Sequence, residues 1–329
     1  MKAVKFEDKN VLLTENPVPG IRKGEALIKI SMAGICNTDF EIFNGYAGFS
    51  GIPGHEFAGT VEKAPDFPEL EGKRITSDIN CGCGKCGWCR SGDARHCPDR
   101  SVIGIRDRNG AFAEYLSVPV KNIHLIPESV ENYRAVFAEP LAAALEITQQ
   151  IHIKNSDRIV VLGDGKMGLL AALALRHHCA NLMLAGRHPE KLAIASKKGV
   201  DTLLLKRGDS TEAADTMPCG PFDIVVEATG SPDGIQDALS LVRAEGTVIA
   251  KTTSHSRSRI DLSKVVVNEI HLLGSRCGDI NLALRYLENW LVDVKPLVEK
   301  VYSFSDFTEA FDHAGRKGSL KVLLDMNRP

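Results

Sequence analysis

The sequence predicts an α/β protein in which a doubly wound, parallel-sheet domain is inserted between two pieces of a mostly β domain. The first observation is length, because 329 residues exceed the size at which a single core usually keeps growing. The second is the N-terminal part of the chain, where short β-rich runs alternate with many glycines and prolines. The third is the pattern after Arg158, where apolar runs alternate with helical segments, as in a parallel sheet covered on both faces.

The individual elements follow in chain order. Residues 26–31 and 114–118 are typical of strands in the β domain. The inserted domain is expected to have strands at 159–162, 181–184, 222–227, 246–250 and 270–274, with helices at 169–175, 189–198 and 233–242. The chain then returns to the β domain with a helix over 306–314 and a last strand over 320–324. We therefore expect the β domain at residues 1–142 and 278–329, and the parallel-sheet domain at 143–277.

Composition excludes several classes of protein. A hydrophobic content of 43%, a charged content of 25% and a net charge of -2 are typical of an ordinary globular protein. A near-neutral chain without a basic block cannot supply the counterion release that drives nucleic-acid binding. The first residues lack the apolar core of a signal peptide, and the longest apolar run, residues 169–175, is far too short to span a membrane. We expect a cytoplasmic protein with neither a nucleic-acid nor a membrane partner.

Four cysteines lie within fifteen positions, at Cys83, Cys86, Cys89 and Cys97. This spacing is typical of a closed structural site in which four thiolates surround one zinc ion. Disulfide bonds are the alternative, but the chain has nine cysteines, an odd number, and no secretory signal. The sequence therefore predicts a structural zinc lobe at about residues 81–97, with Cys81 as a bystander.

A glycine-rich loop runs from Gly163 to Gly168 as Gly-Asp-Gly-Lys-Met-Gly. It follows a buried strand and opens a helix, which is the context in which such a loop binds the pyrophosphate of a dinucleotide. The glycines make the turn and allow close approach, and the free N–H groups of the helix attract the anion. The loop predicts dinucleotide contacts at Gly163, Gly165, Lys166, Met167 and Gly168.

The end of the next strand indicates which dinucleotide binds. NAD-dependent enzymes usually place an acidic residue there to hold the ribose 2′-hydroxyl, whereas this chain has Gly186-Arg187-His188. Glycine leaves room for a 2′-phosphate, Arg187 can bind it with two hydrogen bonds, and Lys191 can add a second positive charge. The alternative is that Arg187 and Lys191 form a solvated helix start, which leaves the missing carboxylate unexplained. The pattern favours NADP(H) over NAD(H).

A set of further motifs occurs in a fixed order: Gly34-Ile-Cys36-Asn-Thr38-Asp39, Gly54-His55-Glu56-Phe-Ala-Gly59, the four-cysteine lobe, Ala113-Glu-Tyr115, Glu139-Pro-Leu-Ala, the glycine loop, Glu227-Ala-Thr229-Gly230 and Lys321-Val-Leu. Taken singly, a lone Cys or His is usually a packing residue. Together, the motifs make the chain resemble the zinc-dependent medium-chain dehydrogenases, and among them the polyol, threonine and sugar dehydrogenase branch. The resemblance implies a GroES-like β-rich catalytic domain and a Rossmann domain.

The resemblance also implies the catalytic residues. Cys36 and His55 would hold a catalytic zinc ion, and either Glu56 or Glu139 would complete the protein ligands. Thr38 would relay the proton of the alcohol, and Asp39 would orient the imidazole. The matching motifs place Thr229 and Lys321 among the cofactor-binding residues. One departure from many alcohol dehydrogenases is Glu41, at the position of a histidine that ends the proton relay.

The expected function is hydride transfer between a nicotinamide cofactor and the alcohol or carbonyl group of a small hydroxylated metabolite such as a polyol, sugar or secondary alcohol. An open position on a three-ligand zinc ion suits this chemistry, because the ion acts as a Lewis acid. Two zinc ions per chain and a homodimer or homotetramer are expected. Two alternatives remain: a zinc-independent quinone or enoyl reductase of the same fold, and a non-enzymatic protein that senses NADP.

Overall fold

The computed structural model describes residues 1–7, 10–45, 48–205, 221–253 and 257–328. The chain divides into two compact units, one formed by Met1–Glu139 with Ile280–Pro329 and the other by Pro140–Asp279. The predicted fold class, a parallel-sheet domain inserted between two pieces of a β domain, is confirmed. Within the described residues, no helix has both the length and the apolar character that a membrane span requires.

Short strands dominate the N-terminal part of the chain, and strands alternate with helices after it. The strands are β1 (Lys2–Glu7), β2 (Asn10–Glu15), β3 (Glu25–Gly34), β4 (Glu56–Lys63), β5 (Arg74–Ser77), β6 (Asn80–Cys81), β7 (Ser101–Ile103), β8 (Asp107–Arg108), β9 (Tyr115–Pro119), β10 (Ile123–Leu125), β11 (Arg158–Leu162), β12 (Asn181–Gly186), β13 (Asp201–Leu204), β14 (Phe222–Glu227), β15 (Val242–Ala250), β16 (His271–Gly274), β17 (Val298–Ser303) and β18 (Lys321–Asp325). The α-helices are α1 (Asn37–Phe43), α2 (Gly87–Arg90), α3 (Asn132–Ala135), α4 (Ala138–Gln150), α5 (Lys166–Leu175), α6 (Pro189–Ser196), α7 (Gly234–Leu241), α8 (Leu262–Val267), α9 (Ile280–Glu288) and α10 (Phe307–Ala314). Short 3₁₀ helices lie at Pro68–Leu70, Ala94–His96, Val120–Asn122, Lys295–Leu297 and Phe304–Asp306.

The first unit is built around a sheet of order β10-β5-β4-β3-β18-β17, with β9 also paired to β3. Strand β18 comes from the end of the chain and runs antiparallel to β3, with Leu323 opposite Gly34. Gly34 in turn lies opposite Glu56 at the start of β4. The first residue of β18, Lys321, is thereby brought close to Glu56, 265 positions away in the sequence. The core of this unit includes Ile28, Ile30, Phe57, Phe112 and Phe307, all at most 1% exposed.

The second unit contains a six-stranded sheet of order β13-β12-β11-β14-β15-β16, and all of its paired strands are parallel. This is the doubly wound order in which ligands bind at the carboxyl ends of the strands, where the strand order reverses. That reversal lies between β11 and β14. The strands are apolar because helices cover both faces, and helix α5 is buried from Gly168 to Leu175.

A partly buried ion pair in the first unit links the three strands β3, β8 and β9. The Arg108 guanidinium lies 2.9 Å from the Glu25 carboxylate, and the Ser117 hydroxyl donates to the other oxygen of Glu25 at 2.7 Å. Burial acts to raise the pKa of Glu25, but the bonds from Ser117 and Arg108 outweigh it and hold that pKa below its usual value. The stabilisation is therefore present above the pKa of the unfolded chain and is lost as the pH falls through the lower, folded value.

We expect Glu25→Gln to lower the free energy of unfolding at pH 7 by about 1–2 kcal/mol, because Arg108 loses its charged partner. The thermal midpoint should fall accordingly. The difference from the unaltered protein should shrink as the pH falls below about 4, where Glu25 itself becomes protonated. Calorimetric melting at several pH values measures this. Glu62→Gln, at an exposed position on β4, is the matched control and should change little. An equal loss at acidic and neutral pH would contradict the assignment.

Candidate active site and dinucleotide loop

A cysteine, a histidine and a glutamate converge in the first unit. Cys36 lies between β3 and α1, Glu56 begins β4, and His55 directly precedes that strand. Because Gly34 and Glu56 are opposite each other in the sheet, the end of β3 and the start of β4 are adjacent. The ligand atoms of Cys36, His55 and Glu56 all lie within 4.8 Å of one another. His55 and Glu56 are buried, and Cys36 is half-buried.

Asp39 supports two of these residues. One of its carboxylate oxygens accepts the backbone N–H of Cys36 at 2.8 Å, which caps the start of α1. The other lies 3.5 Å from Nδ1 of His55. Burial acts to lower the pKa of His55, but the charges of Asp39 and Cys36 outweigh it and hold that pKa well above its usual value. The expected role of Asp39, orienting His55, is compatible with this placement.

The cluster has the donor set of a zinc site. Among the described residues, Oδ1 of Asp39, Nδ1 of His55 and Oε1 of Glu56 are buried without a hydrogen-bond partner. Oδ1 of Asp39 and Nδ1 of His55 lie 3.5 Å from each other. Buried polar atoms are normally satisfied, so the unpartnered Oε1 of Glu56 indicates a missing interaction. Oε2 of Glu56 accepts from the Lys321 ammonium, which leaves Oε1 available. A thiolate, an imidazole and a carboxylate oxygen together fit zinc.

Glu139 lies in the first turn of α4, outside the group of converging ligand atoms. Burial raises the pKa of its carboxyl to about 7, the Glu56 charge adds to this, and His55 and Lys321 oppose it. These interactions place Glu139 in the electrostatic surroundings of the cluster. Glu56 is thus the carboxylate that the structure brings together with Cys36 and His55, whereas Glu139 is a neighbour of the group.

Two further residues expected from the sequence lie beside this cluster. The Cys36 thiol donates to the Thr38 hydroxyl, with 3.7 Å between Sγ and Oγ1. Lys321, expected among the cofactor-binding residues, is 2% exposed, and its ammonium is bonded to Glu56. The sequence contained a signal that Lys321 has an acidic partner, because a lysine that begins a strand of apolar residues is rarely buried without one.

The four cysteines of the lobe also converge, and the sulfur atoms of Cys83, Cys86, Cys89 and Cys97 lie within 4.8 Å of one another. The Cys97 sulfur accepts the backbone N–H of Cys83, and the Cys86 sulfur accepts that of Cys89, both at 3.4 Å. Backbone N–H bonds from Lys85 and Cys86 lower the pKa of Cys83 to about 6. Cys81 lies outside the group, and burial raises its pKa to about 11. The cluster resembles a structural zinc site.

The glycine loop in the second unit has the shape that a dinucleotide requires. Gly163 has a positive φ of 104°, and a Cβ there would lie 2.5 Å from the Ala228 carbonyl oxygen. A Cβ on Gly168 would lie 1.8 Å from the carbonyl oxygen of Gly163. Gly165, in contrast, faces open space. These are the turn, the close helix packing and the exposed backbone that the motif needs, with Lys166 and Met167 beginning α5.

The turn after β12 is hydrogen-bonded to a carboxylate that sequence reasoning missed. Asp164, the second residue of the glycine loop, is 6% exposed, and its Oδ2 accepts the backbone N–H groups of Arg187 and His188, each at 2.6 Å. Of the two cations expected near a 2′-phosphate, Arg187 is exposed, whereas Lys191 on α6 is buried. Sequence reasoning missed Asp164 because the glycine-loop motif specifies only its glycines and says nothing about the side chains between them.

Thr229, expected to contact the cofactor, lies in a hydrogen-bonded network after β14. Its hydroxyl donates to the buried Glu227 carboxylate at 2.6 Å and accepts the backbone N–H of Ser231 at 3.0 Å. Thr252 donates to the same Glu227 oxygen at 2.8 Å. This network fixes the loop that packs against Gly163 at the carboxyl ends of the strands.

Comparison with known proteins places these features in a family. Residues 22–128 match the alcohol dehydrogenase GroES-like domain, and residues 167–292 match the zinc-binding dehydrogenase domain. D-arabinitol dehydrogenase 1 from Uromyces fabae is 31% identical over 94% of this chain and 92% of its own length. The chain belongs to the zinc-dependent medium-chain dehydrogenases. This dehydrogenase is therefore an oxidoreductase of the alcohol and polyol dehydrogenase type.

Other relatives of this dehydrogenase have similar lengths. D-arabitol-phosphate dehydrogenase from Enterococcus avium is 28% identical, covering 94% of this chain and 92% of the relative. The crystal structure of a zinc-binding dehydrogenase from Sinorhizobium meliloti 1021, bound to NADP, superimposes with a TM-score of 0.88 at 28% identity. That comparison covers 98% of both chains. The expected resemblance to this family, with its GroES-like and Rossmann domains, is confirmed.

Proposed function

We propose that this dehydrogenase uses a catalytic zinc ion and a nicotinamide dinucleotide, with NADP(H) favoured, to interconvert the alcohol and carbonyl forms of a polyol, sugar or secondary alcohol. The observation that carries the proposal is the convergence of the Cys36, His55 and Glu56 ligand atoms within 4.8 Å of one another. The names of the relatives, an arabinitol and an arabitol-phosphate dehydrogenase, support a polyol as substrate.

The residues of the cluster have distinct roles in this proposal. Cys36, His55 and Glu56 would hold the zinc ion, with Glu139 as the alternative carboxylate ligand. When bound with an open position, the ion would supply a Lewis acid for an alcohol or carbonyl oxygen. Asp39 keeps the start of α1 and the imidazole in place through its two oxygens. Oγ1 of Thr38, beside the Cys36 sulfur, would relay the proton of the alcohol, taking up that proton as its own hydroxyl proton leaves.

The second unit supplies the dinucleotide site. The backbone at Gly165 and the N-terminal N–H groups of α5 would hold the pyrophosphate of a nicotinamide dinucleotide, which would supply the hydride acceptor or donor. Gly186 and the exposed Arg187 support the preference for NADP(H), because a guanidinium binds a phosphate with two hydrogen bonds. Since Lys191 is 5% exposed and Arg187 is exposed, we expect Arg187 rather than Lys191 to meet a 2′-phosphate directly.

Two further parts of the proposal concern the state of the protein. A second, structural zinc ion at the four-cysteine lobe requires reduced thiols, which favours a reducing compartment such as the cytoplasm. A homodimer or homotetramer is supported by the exposed side chains of Leu262, Val266 and Val267, an apolar patch on α8 that association would cover.

Removal of zinc should abolish the reaction. Polyols, sugars and amino alcohols are screened with NADP⁺ and NAD⁺ by following the absorbance of the reduced nicotinamide. We expect a chelator to reduce the rate of oxidation at least about a hundredfold, because the Lewis acid contributes several kcal/mol to the transition state. Added zinc should restore the rate, whereas added magnesium, which prefers oxygen ligands, should not. Full activity after the cluster has lost its metal would favour the zinc-independent reductase instead.

A further inference from the structure

The carboxylate of Asp164 lies where a side chain on residue 186 would begin. A Cβ added to Gly186 would be 2.4 Å from Oδ2 of Asp164 and 2.5 Å from its Cγ. Residue 186 is the position at which NAD-dependent enzymes usually carry the acid that holds the ribose 2′-hydroxyl. The chain thus has a buried carboxylate at this place, but it comes from the glycine loop rather than from the end of β12.

The bonds of Asp164 join the glycine loop to the turn formed by residues 186–188. Oδ2 accepts the N–H groups of Arg187 and His188, and Oδ1 lies 2.9 Å from Nδ1 of His188. A carboxylate has about four acceptor positions, so about one remains. The segment that would hold the pyrophosphate and the segment that would meet the 2′ group are therefore fixed to each other through one side chain.

The charge of Asp164 opposes that of Arg187 at this turn. A ribose hydroxyl can donate to a carboxylate, whereas a 2′-phosphate is repelled by it. Arg187 favours the phosphate and also faces a second acid, since it acts to lower the pKa of Asp237 on α7. Burial and Asp233 outweigh that effect, and the pKa of Asp237 is about 6. Acidic and basic groups thus meet around Arg187.

We propose that Asp164 is a specificity-determining residue that positions the 186–188 turn for either dinucleotide and, through its charge, limits the preference for a 2′-phosphate that Arg187 creates. This inference rests on the proposed function. Its consequence is that NAD(H) remains usable beside NADP(H).

The test measures binding of two nucleotides by isothermal titration calorimetry, without turnover. AMP and adenosine 2′,5′-bisphosphate differ only in the 2′-phosphate. Asp164→Asn keeps an oxygen for the two N–H groups and removes the charge, so the bisphosphate should bind about tenfold more tightly, with AMP nearly unchanged. Asp164→Ala leaves both N–H groups without their acceptor, so both nucleotides should bind about tenfold more weakly.

Two other variants make the test specific. Asp223→Asn is the matched control, because Asp223 is a partly buried carboxylate of this unit that accepts the N–H of Arg158 at 2.8 Å and pairs with Arg243, at the opposite ends of the strands. It should leave the ratio of the two affinities unchanged. Gly186→Ala retains Asp164 but displaces its carboxylate, so it should weaken the binding of both nucleotides, as Asp164→Ala does.

The outcomes separate this inference from the proposed function. An unchanged affinity ratio in folded Asp164→Asn, or unaltered binding of both nucleotides by Gly186→Ala, would overturn the role of Asp164 alone. If Asp164→Asn fails to fold, as circular dichroism would show, Gly186→Ala decides. If the unaltered protein binds neither nucleotide, the dinucleotide site itself is wrong, and the inference fails with it.

Discussion

Replacing Cys36 with serine should remove one of the two zinc ions that we propose for each chain and reduce kcat at least about a thousandfold. The two groups of converging ligand atoms each fit one ion, and only one of them contains Cys36. A serine hydroxyl is a poor zinc ligand at neutral pH, so the remaining imidazole and carboxylate would hold the ion weakly. Loss of the Lewis acid costs several kcal/mol in the transition state, and each 1.36 kcal/mol is tenfold in rate.

The measurement combines metal analysis with steady-state kinetics. Cys81→Ala is the matched control, because Cys81 is a nearby thiol outside both groups, and it should retain two zinc ions and full activity. Cys97→Ser should lose the other ion and lower the thermal midpoint, since a structural site contributes folding free energy. Full activity of Cys36→Ser with its zinc content unchanged would exclude the catalytic site proposed for this cluster.

Local pattern and motif order predicted the fold, and they named most of the residues that the structure brings together in the candidate site. The apolar strands of the inserted domain and the glycine loop each depend on residues that are close together in the sequence, so periodicity and spacing could identify them. The four cysteines are likewise close in sequence and close in space. Cys36 and His55 are nineteen positions apart, and their convergence depends on the pairing of β3 with β4. The convergence of Cys36 and His55 was expected only through resemblance to a family, and the strand pairing itself was not predicted.

Side-chain partners that depend on distant pairing could not be predicted. Lys321 reaches Glu56 because β18 runs beside β3, a contact across 265 positions. The Asp164 carboxylate reaches residues 187 and 188 because β11 and β12 are parallel neighbours.

The position of Asp164 changes the design of a cofactor swap, since an aspartate placed at Gly186 would collide with its carboxylate. A switch toward NAD(H) by Gly186→Asp and Arg187→Ile therefore also requires Asp164→Gly.

Replacing Lys321 with methionine should lower the free energy of unfolding by about 3–5 kcal/mol, because Glu56 would be left as a buried charge without its partner. Both side chains are at most 2% exposed. Burial acts to lower the pKa of Lys321, but the Glu56 carboxylate outweighs it and raises that pKa, so the ammonium stays charged at neutral pH. Gly34 gives the pair its room, since a Cβ there would lie 2.7 Å from Oε2 of Glu56.

A double-mutant cycle on the metal-free protein isolates this pair from zinc binding. Glu56→Gln alone leaves the Lys321 charge buried and should also destabilise the protein, whereas the double variant Glu56→Gln with Lys321→Met has no unpaired charge. Its loss should be smaller than the sum of the two single losses by at least about 1 kcal/mol, the size expected for groups in direct contact. Lys300→Met, a lysine on the neighbouring strand β17, is the control for loss of one positive charge. Additive losses in the cycle would show that Lys321 does not stabilise the Glu56 carboxylate. The idea that the Lys321 ammonium holds Glu56 in place for a metal ion would then be wrong.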